Sequence, residues 1–581
     1  LYLFVCVFFI ELEAQTKGIK VISGTVKDEL ALPLPGVTVK LKGTNFGTVT
    51  DKDGKYTLKV VGLDKFTLVF SFIGMESQEI VYKGKDSIDI VLHEKIQELE
   101  EVVVNTGYER INIRQSTSAI QSIKAEDIVL PGFSSIDQML EGYVPGLIFM
   151  QNSGQVGVVP RLSIRGTSTV LGSREPVWVI NGVVQENPIN IDPKMINDLD
   201  FVNLLGNAIS GLNPEDIEQI DILKDASATA LYGARAANGV IVITTKKGKT
   251  GPASFSYSFS GTFRRRPYYS DKEINMMNSK ERIDFSRKLL EKRVIYPAFS
   301  STWLGYEGAM YKYWQGEYSF EEMQREVSFY ESVNTDWFKE LMKNSFSHTH
   351  TFSLSGGTST MNYYTSFGVR KEKGNIKGES NDNYSTSMHL TTNLGRFTFR
   401  GGINAFVSKK SYVPEDVEVT QYAYSTTRAL PVYASDGSLW YYGRDIGETA
   451  KERYRDFNII NEMKNSSNDI RASGISVEVN LDGELTNWLT GMLVGSYSLN
   501  NTTNEKWHGE NSFYVTKMQK IISNNKDMGT LPFGGELQYE NVERYAYMLR
   551  GQLNAKFYVD KHRQYPLMIS IGGEMSSNQY Y

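Results

Sequence analysis

Six histidines and one cysteine are the side chains of this sequence with the widest choice of chemistry. None of the histidines begins a His-x-x-Glu or His-Glu-x-x-His zinc motif. They are His93, His348, His350, His389, His508 and His562. On a strand, His348 and His350 would share one face and could hold a metal, but Phe352 and Leu354 continue that face and favour an aromatic girdle. No Gly-x-Ser-x-Gly elbow with suitable partners occurs. We therefore predict no catalytic residue, no metal site and no cofactor.

The cysteine, Cys6, lies inside Leu1–Ile10, an apolar run with the length of a signal-peptide h-region. Ala14 supplies a small residue for cleavage, so residues 1–14 are predicted to be the remnant of a signal peptide whose beginning is missing. Phe4 and Val5 are not the small residues that precede a lipoprotein cysteine, which argues against a lipid anchor. The mature chain would then have neither a disulfide nor a thiolate site.

Length and composition narrow the class of protein. A chain of 581 residues should fold as several units, and its net charge of -5 makes nucleic acid a poor partner. Beyond residue 10 no apolar run of about 18 residues predicts a helical membrane span. The 34 tyrosines, 28 phenylalanines and 50 glycines are instead typical of a β-barrel.

Residues 19–93 are predicted to form a small all-β domain. Turn residues separate the strand-like runs Val21–Val26, Val37–Lys42, Tyr56–Val60, Phe66–Phe72 and Ile88–Leu92. The segment from Asp51 to Gly54 could suggest a calcium loop, but Gly62 stands where an EF-hand needs glutamate. A hairpin turn is the better interpretation.

Residues 94–117 are predicted to form a linker that contains Glu101, Val102, Val103, Val104 and Asn105. Consecutive β-branched residues favour an extended backbone. Such an exposed segment could add itself to the sheet edge of another protein. An additional strand of the preceding domain is an equally good interpretation of the pattern.

Residues 118–248 are predicted to form a compact mixed α/β unit. Asn213 should cap a helical turn with Pro214 at its first position, and Asn181-Gly182 should form a hairpin turn. Gly233 should end a short helix that starts at Ala226. The remaining predictions are a helix over Ser135–Glu141 and strands over Val144–Phe149, Arg161–Gly166, Pro176–Ile180, Ile220–Leu223 and Val240–Thr245.

Residues 252–581 change character, because apolar residues recur at every second position in about nine segments joined by alternately short and long connections. Ile475, Val477, Val479 and Leu481 are one example. Long strands with one apolar and one polar face favour part of a transmembrane barrel over a sandwich, whose strands are shorter. The longest interruption contains a predicted helix, Ser279–Glu291. Nearby aromatic residues could stack on sugars or pack within an ordered loop: Tyr268, Tyr269, Trp303, Tyr306, Tyr311, Tyr313 and Trp314.

Three segments of the unit 118–248 strongly resemble the plug of SusC/RagA-type TonB-dependent outer-membrane transporters: residues 163–167, 176–182 and 212–247. Asn181-Gly182 departs from the Asp-Gly that is frequent there, and both dipeptides suit the turn. Residues 19–93 are similar to the carboxypeptidase-regulatory-like domain of this class, and Glu101–Asn105 to its TonB box. The plug pattern covers Arg165, Gly166, Asn181, Gly182, Lys224, Asp225, Tyr232, Gly233, Arg235, Asn238 and Gly239.

The resemblance implies import across the outer membrane of a Gram-negative, Bacteroidota-like bacterium. TonB would pair with the box from the periplasm, and a SusD-like surface lipoprotein would help to capture a small nutrient, an oligosaccharide or an oligopeptide. Outer-membrane lipid would surround the barrel, and a dimer of transporter–lipoprotein pairs would be in keeping with the class. Because such barrels have about 22 strands, the sequence is expected to be an N-terminal fragment. The alternative is a surface adhesin or structural β protein without transport.

Overall fold

The computed structural model describes residues 19–29, 31–44, 46–61, 63, 65–93, 103–112, 119–129, 135–151, 153–166, 175–185, 209, 211–294, 304–445, 454–523, 533–558 and 566–581. The expected signal-peptide remnant, Glu101, Val102 and Trp303 lie outside these residues. The described chain falls into two compact units, one up to residue 102 and one from Val103 to Tyr581. No helix in the described ranges is long and apolar enough to cross a membrane.

The first unit is a β-sandwich. One sheet has the order β4-β1-β7 and the other the order β3-β2-β5-β6. Alternate residues of both sheets point into one core, where the rings of Tyr56 and Phe70 meet edge to face at 5.4 Å. The strands are β1 (Ile19–Lys27), β2 (Thr38–Leu41), β3 (Gly47–Val49), β4 (Lys55–Val61), β5 (Thr67–Ser71), β6 (Gln78–Val81) and β7 (Ile90–Val91).

The five strands predicted for this unit are confirmed, and β3 and β6 are additional. The structure also supports the turn at Asp51–Gly54, because the Asp51 carboxylate accepts the backbone N–H groups of Asp53 and Lys55 at 2.9 and 2.8 Å. Those bonds shape the turn from within.

The second unit begins with the hairpin β8 (Val103–Asn105) and β9 (Arg110–Asn112) and continues into a mixed five-stranded sheet of order β10-β15-β16-β13-β14. Together with the elements around it, this sheet forms the plug. The strands are β10 (Ile120–Lys124), β11 (Leu147–Met150), β12 (Arg161–Ile164), β13 (Val177–Ile180), β14 (Val183–Gln185), β15 (Ile217–Leu223) and β16 (Val240–Thr245). The helices are α1 (Ala125–Ile128), α2 (Ile136–Met139) and α3 (Ala226–Thr229), with 3-10 turns at Pro214–Asp216 and Ala230–Ala236.

Most local predictions for the plug are confirmed. Asn181 and Gly182 both adopt positive φ, 50° and 90°, in the tight turn between β13 and β14. The Asn213 side chain accepts the Glu215 N–H at the start of its 3-10 turn. The predicted stop at Gly233 is confirmed, because Gly233 leaves the helical conformation at φ 64° and ψ -153° and separates the turn before it from the one that ends at Ala236.

A nine-stranded antiparallel sheet follows, with its strands in sequence order. We call this sheet the wall. Its first strand contacts the plug through Ser258 and Glu215, and its last through Glu574 and Tyr108, so the wall curves around the plug. The strands are β17 (Gly251–Arg264), β18 (Ser345–Gly357), β19 (Met361–Lys373), β20 (Ser380–Leu394), β21 (Phe397–Tyr412), β24 (Ser466–Glu484), β25 (Leu489–His508), β26 (Glu536–Tyr558) and β27 (Pro566–Tyr580).

The wall reverses the polarity of a water-soluble sheet. The periodic apolar residues, such as Ile475, Val477 and Ile571, are exposed on its outer face. Polar residues such as Ser366 and Ser387 are buried on the face towards the plug. His348 and His350 lie on the outer face with Phe352, where the Tyr257 hydroxyl lies 2.8 Å from His350 Nδ1. The pair therefore belongs to an aromatic band, in keeping with the girdle interpretation.

Three long connections pack at one end of the wall. The predicted helix over Ser279–Glu291 is confirmed and starts with a capping box between Asn278 and Glu281. Tyr269 packs on Phe338 and Tyr424, whereas Trp314 is exposed. Their elements are α4 (Ser279–Glu291), α5 (Gly305–Trp314), α6 (Phe320–Val333), α7 (Trp337–Leu341), a 3-10 turn (Glu415–Val417), α8 (Val419–Ser425), β22 (Tyr442–Asp445), β23 (Tyr454–Phe457), α9 (Ile459–Lys464) and α10 (Phe513–Ser523).

Candidate coupling site

The strand-prone segment Val103–Asn105 forms β8 and pairs with β9 in the second unit. Its backbone is extended, as the β-branched residues predict, and it pairs in a sheet of its own rather than as a strand of the β-sandwich. The Val104 side chain is fully buried. We call residues 103–105 the coupling segment. Within this segment the plug covers Val104, whereas the Val103 side chain is exposed.

The backbone groups of the coupling segment point in two directions. Thr106 N donates to Glu109 O, so these two residues form a hydrogen-bonded pair of the hairpin. Hydrogen-bonded and non-hydrogen-bonded pairs alternate along antiparallel strands, so the next hydrogen-bonded pair is Val104 and Ile111. The backbone N–H and C=O groups of Val103 and Asn105 therefore point away from β9. Two side chains of β15 meet these outward groups. Gln219 Nε2 donates to Val103 O at 3.0 Å, and Asp221 Oδ2 accepts Asn105 N at 3.0 Å. Burial raises the pKa of Asp221.

Tyr232 of the plug pattern binds Thr106, the residue that follows the coupling segment. Its hydroxyl donates to Thr106 O at 2.5 Å, and its ring meets Tyr108 edge to face at 4.9 Å. Burial raises the pKa of Tyr232, so the hydroxyl stays a proton donor over the physiological range. The tyrosine of the plug pattern is thus brought directly to the coupling segment.

Arg550 in β26 is a buried arginine of the wall. It joins residues 103–108, which we call the coupling region, to the plug. Its Nη2 donates to Gly107 O at 3.0 Å and its Nη1 to Gly182 O at 3.2 Å. The guanidinium also lies 4.3 Å from the centre of the Tyr108 ring, and Glu574 is 3.8 Å away. The planar fork of arginine suits such a double contact, which a single ammonium group cannot reproduce.

The Asn181-Gly182 turn carries a second bond to the wall. Asn181 Nδ2 donates to Glu478 of β24 at 2.6 Å, and the Asn181 amide oxygen accepts Thr245 N at 3.1 Å. Gly182 is required by position as well as by conformation, because a Cβ there would lie 2.8 Å from Gly107 O. The turn is a junction of plug, wall and coupling region.

The other residues of the plug pattern are not brought together into one site, and several of them hold plug turns. Arg165 N donates to Gly146 O at 2.9 Å, and Lys224 Nζ donates to Gln121 Oε1 at 2.9 Å. Asp225 accepts Ala119 N at 2.6 Å and caps α3, and the Ala119 bond holds its pKa below the ordinary value. The rest lie at bends or close approaches of the chain: Gly166, Gly233, Arg235, Asn238 and Gly239.

The plug is anchored to the wall at two further places. Asp216 accepts the hydroxyls of Tyr364 at 2.8 Å and Ser366 at 2.7 Å, and it is 1% exposed. At the second place Gln155 donates to Glu379 at 3.1 Å. The plug is therefore held by contacts distributed around the sheet.

Sequence patterns alone missed the partners of the coupling segment. Asp221 interrupts the apolar strand β15, and a carboxylate at such a position needs a bonding partner. Arg550 and Glu574 are charges on the polar face of wall strands. These are the signals that could have singled them out, although none of them names the partner.

Comparison with known families assigns two parts of the chain. A CarboxypepD_reg-like domain matches residues 22–104, and a TonB-dependent Receptor Plug Domain matches residues 112–240. The TonB-dependent receptor SusC of Bacteroides thetaiotaomicron is 26% identical over 570 residues, which cover 91% of this chain and 51% of SusC. The TonB-dependent receptor P26 of Formosa agariphila is 30% identical over 433 residues, which cover 72% of this chain and 37% of P26.

Among solved structures, the RagAB peptide importer in its open-open state is similar, with a TM-score of 0.60 and 20% identity. The match covers 82% of this chain and 50% of that chain, and at this identity it shows the fold. The two domain families and the plugged antiparallel sheet are features of the class of TonB-dependent receptors. Within that class the chain is a homologue of SusC, and it spans about half of SusC's length. These relatives are receptors and an importer, not enzymes.

Proposed function

We propose that this chain carries the coupling and gating parts of an outer-membrane transporter that imports a nutrient with energy delivered through TonB. The observation that carries the proposal is a continuous bonded path. It runs from the coupling segment through Gly107 and Arg550 to the Asn181-Gly182 turn. A pull on the coupling segment would therefore load the plug and its bonds to the wall.

The outer face of the wall supports a place in the outer membrane. Exposed apolar side chains follow one another along its strands, which hydrocarbon solvates and water does not. The buried face, which is rich in Ser and Asn, suits a lumen that holds a polar plug. The wall thus has the polarity of a sheet whose surroundings are apolar and whose enclosed interior is polar.

A surface lipoprotein is the proposed partner at the mouth of the transporter, and two cargo classes are proposed. The similarity to SusC and to RagAB, the latter described as a peptide importer, supports both points. The cargo would be an oligosaccharide or an oligopeptide. Recovering the lipoprotein with the receptor and identifying the ligand bound to it tests the partner and selects between the two classes.

Deletion of Val102–Val104 tests the energy-coupling role. Extended segments engage partners through main-chain pairing, so the deletion should abolish uptake and leave cargo binding intact. Val103→Pro removes one outward N–H and should also impair uptake, whereas the matched Val103→Ala should not. Normal uptake after the deletion would contradict the assignment of the box. Binding without any dependence of uptake on the proton gradient would favour an adhesin.

A further inference from the structure

The side chains of Gln219 and Asp221 occupy the backbone groups to which a partner strand would bond. We propose that this pair is a substitute strand, which an incoming TonB strand has to displace from the coupling segment. The inference rests on the proposed function, because it concerns the regulation of the same segment. It assigns to β15 a role in setting the affinity for TonB.

The first argument is the match of spacing. Gln219 and Asp221 are two residues apart on β15 and point to one face, as Val103 and Asn105 do on β8. Residues i and i+2 of a strand lie roughly 7 Å apart, so the two pairs can meet in register. Each side chain reaches one outward group, a carbonyl in one case and an N–H in the other. A neighbouring strand would offer the same alternation of donor and acceptor.

The second argument is that hydrogen bonds between Gln219 and Asp221 hold both side chains in position. Gln219 Nε2 lies 2.8 and 2.9 Å from the two carboxylate oxygens of Asp221, and Asp221 is fully buried. Asn105 adds a bond from its own amide to Thr244 Oγ1 at 3.1 Å. These bonds hold the side chains in place before any partner arrives. The outward edge of the coupling segment is therefore covered by a preformed set of groups.

The third argument concerns what covers the edge. An uncovered strand edge is open to pairing with any extended chain, and proteins protect such edges. Backbone-to-backbone protection by a further strand would be extensive and hard to exchange. Two side chains protect the edge at only two points. The other backbone groups of the edge stay available to a partner that brings a complete strand. Coverage of this kind suits a segment that has to be released.

Replacing Asp221 in the full receptor tests the proposal. The probe is a soluble C-terminal domain of TonB from the same bacterium, and its affinity for the purified receptor is measured. Asp221→Ala should tighten binding about tenfold, within the usual range of coupling between sites. It should also speed thiol labelling of a cysteine placed at Val103 when no TonB is present. Asp221→Asn keeps an acceptor oxygen for Asn105 N, so it should remain near the parent receptor in both measurements.

Asp225→Ala is the matched control, since Asp225 also accepts a plug backbone N–H, that of Ala119, away from the coupling segment. It should change neither affinity nor labelling. Should Asp221→Ala not fold, Gln219→Met removes the bond to Val103 O together with the bonds to the Asp221 carboxylate, and both TonB affinity and labelling should change in the same direction. Equal affinity and labelling in the parent receptor and in a folded variant would overturn the inference. Faster labelling together with no TonB binding by any receptor would overturn the proposed function and leave the covered edge standing.

Discussion

The guanidinium of Arg550 lies 3.0 Å from the carbonyl oxygen of Gly107, although 443 residues separate them along the chain. The bond joins a wall strand to the residue that lies two positions beyond the coupling segment. Because Arg550 also bonds to Gly182 O, the wall, the plug turn and the coupling region share one cation. Displacing Gly107 would break a buried charge-assisted bond.

Arg550→Ala should loosen residues 105–108 from the wall. Removing the buried arginine takes the N–H donors from the carbonyls of Gly107 and Gly182 and the cation from Glu574, and we expect a loss of on the order of 3 kcal/mol in the free energy of unfolding. Thermal unfolding of the purified receptor and thiol labelling of a cysteine at Tyr108 measure the effect. Arg471→Ala, at an exposed position of the same sheet, is the control. Equal labelling in both variants would show that Arg550 does not hold the segment.

Gly182→Ala should separate backbone strain from contact with the coupling region. Its new Cβ would meet Gly107 O at 2.8 Å and Arg550 Nη2 at 3.1 Å. Gly142→Ala is the matched control, because Gly142 has a similar φ of 79° and nothing within 4 Å of the added atom. The control should cost about 1–2 kcal/mol of left-handed strain. Gly182→Ala should cost more and should also expose a cysteine at Tyr108, and equal losses without exposure would contradict this.

Tyr364→Phe should weaken the anchor between Asp216 and the wall. The variant deletes one hydroxyl donor to a buried carboxylate, and a hydrogen bond to a charged group contributes about 1.5–3 kcal/mol. The melting temperature of the receptor should fall, and a cycle with Asp216→Asn should show non-additive losses. Tyr363→Phe alters the neighbouring position on the opposite face of β19 and serves as control. Additive losses would mean that the two side chains act independently.

Glu379 should make the stability of the receptor depend on pH. Burial raises the pKa of Glu379 from 4.5 to about 7, against a smaller opposite effect of the Gln155 bond. A carboxyl whose pKa is higher in the folded state stabilises fully below pH 4.5, and the contribution is lost as the pH rises through 7. The difference is on the order of 3 kcal/mol. Tyr412, Lys410 and Glu372 lie in the same region of the wall.

Glu379→Gln should flatten the melting temperature between pH 5 and pH 8, a range of about three units that brackets the titration. Glu484→Gln, at an exposed position at the end of β24, should leave the pH profile unchanged. A profile that stays steep in Glu379→Gln would assign the pH dependence to another group. The comparison therefore needs only melting curves of three purified receptors.

Local patterns in the sequence already determined much of the fold. Alternation of apolar and polar residues predicted the wall strands, because side chains of a strand alternate between its two faces. The Asn181-Gly182 turn and the Asn213 cap were predictable because their hydrogen bonds and dihedral angles involve neighbouring residues. The end of the helix at Gly233 was predictable for the same reason, since a glycine readily adopts the positive φ that ends a helix.

Only the tertiary structure decided what the coupling segment contacts. Three adjacent β-branched residues predict an extended backbone, but the Asp221 carboxylate and the Arg550 guanidinium reach residues 105 and 107 across 116 and 443 positions. Such contacts depend on the register of every strand between them. Periodicity records which face a side chain occupies, and it carries no information about which distant residue that face meets.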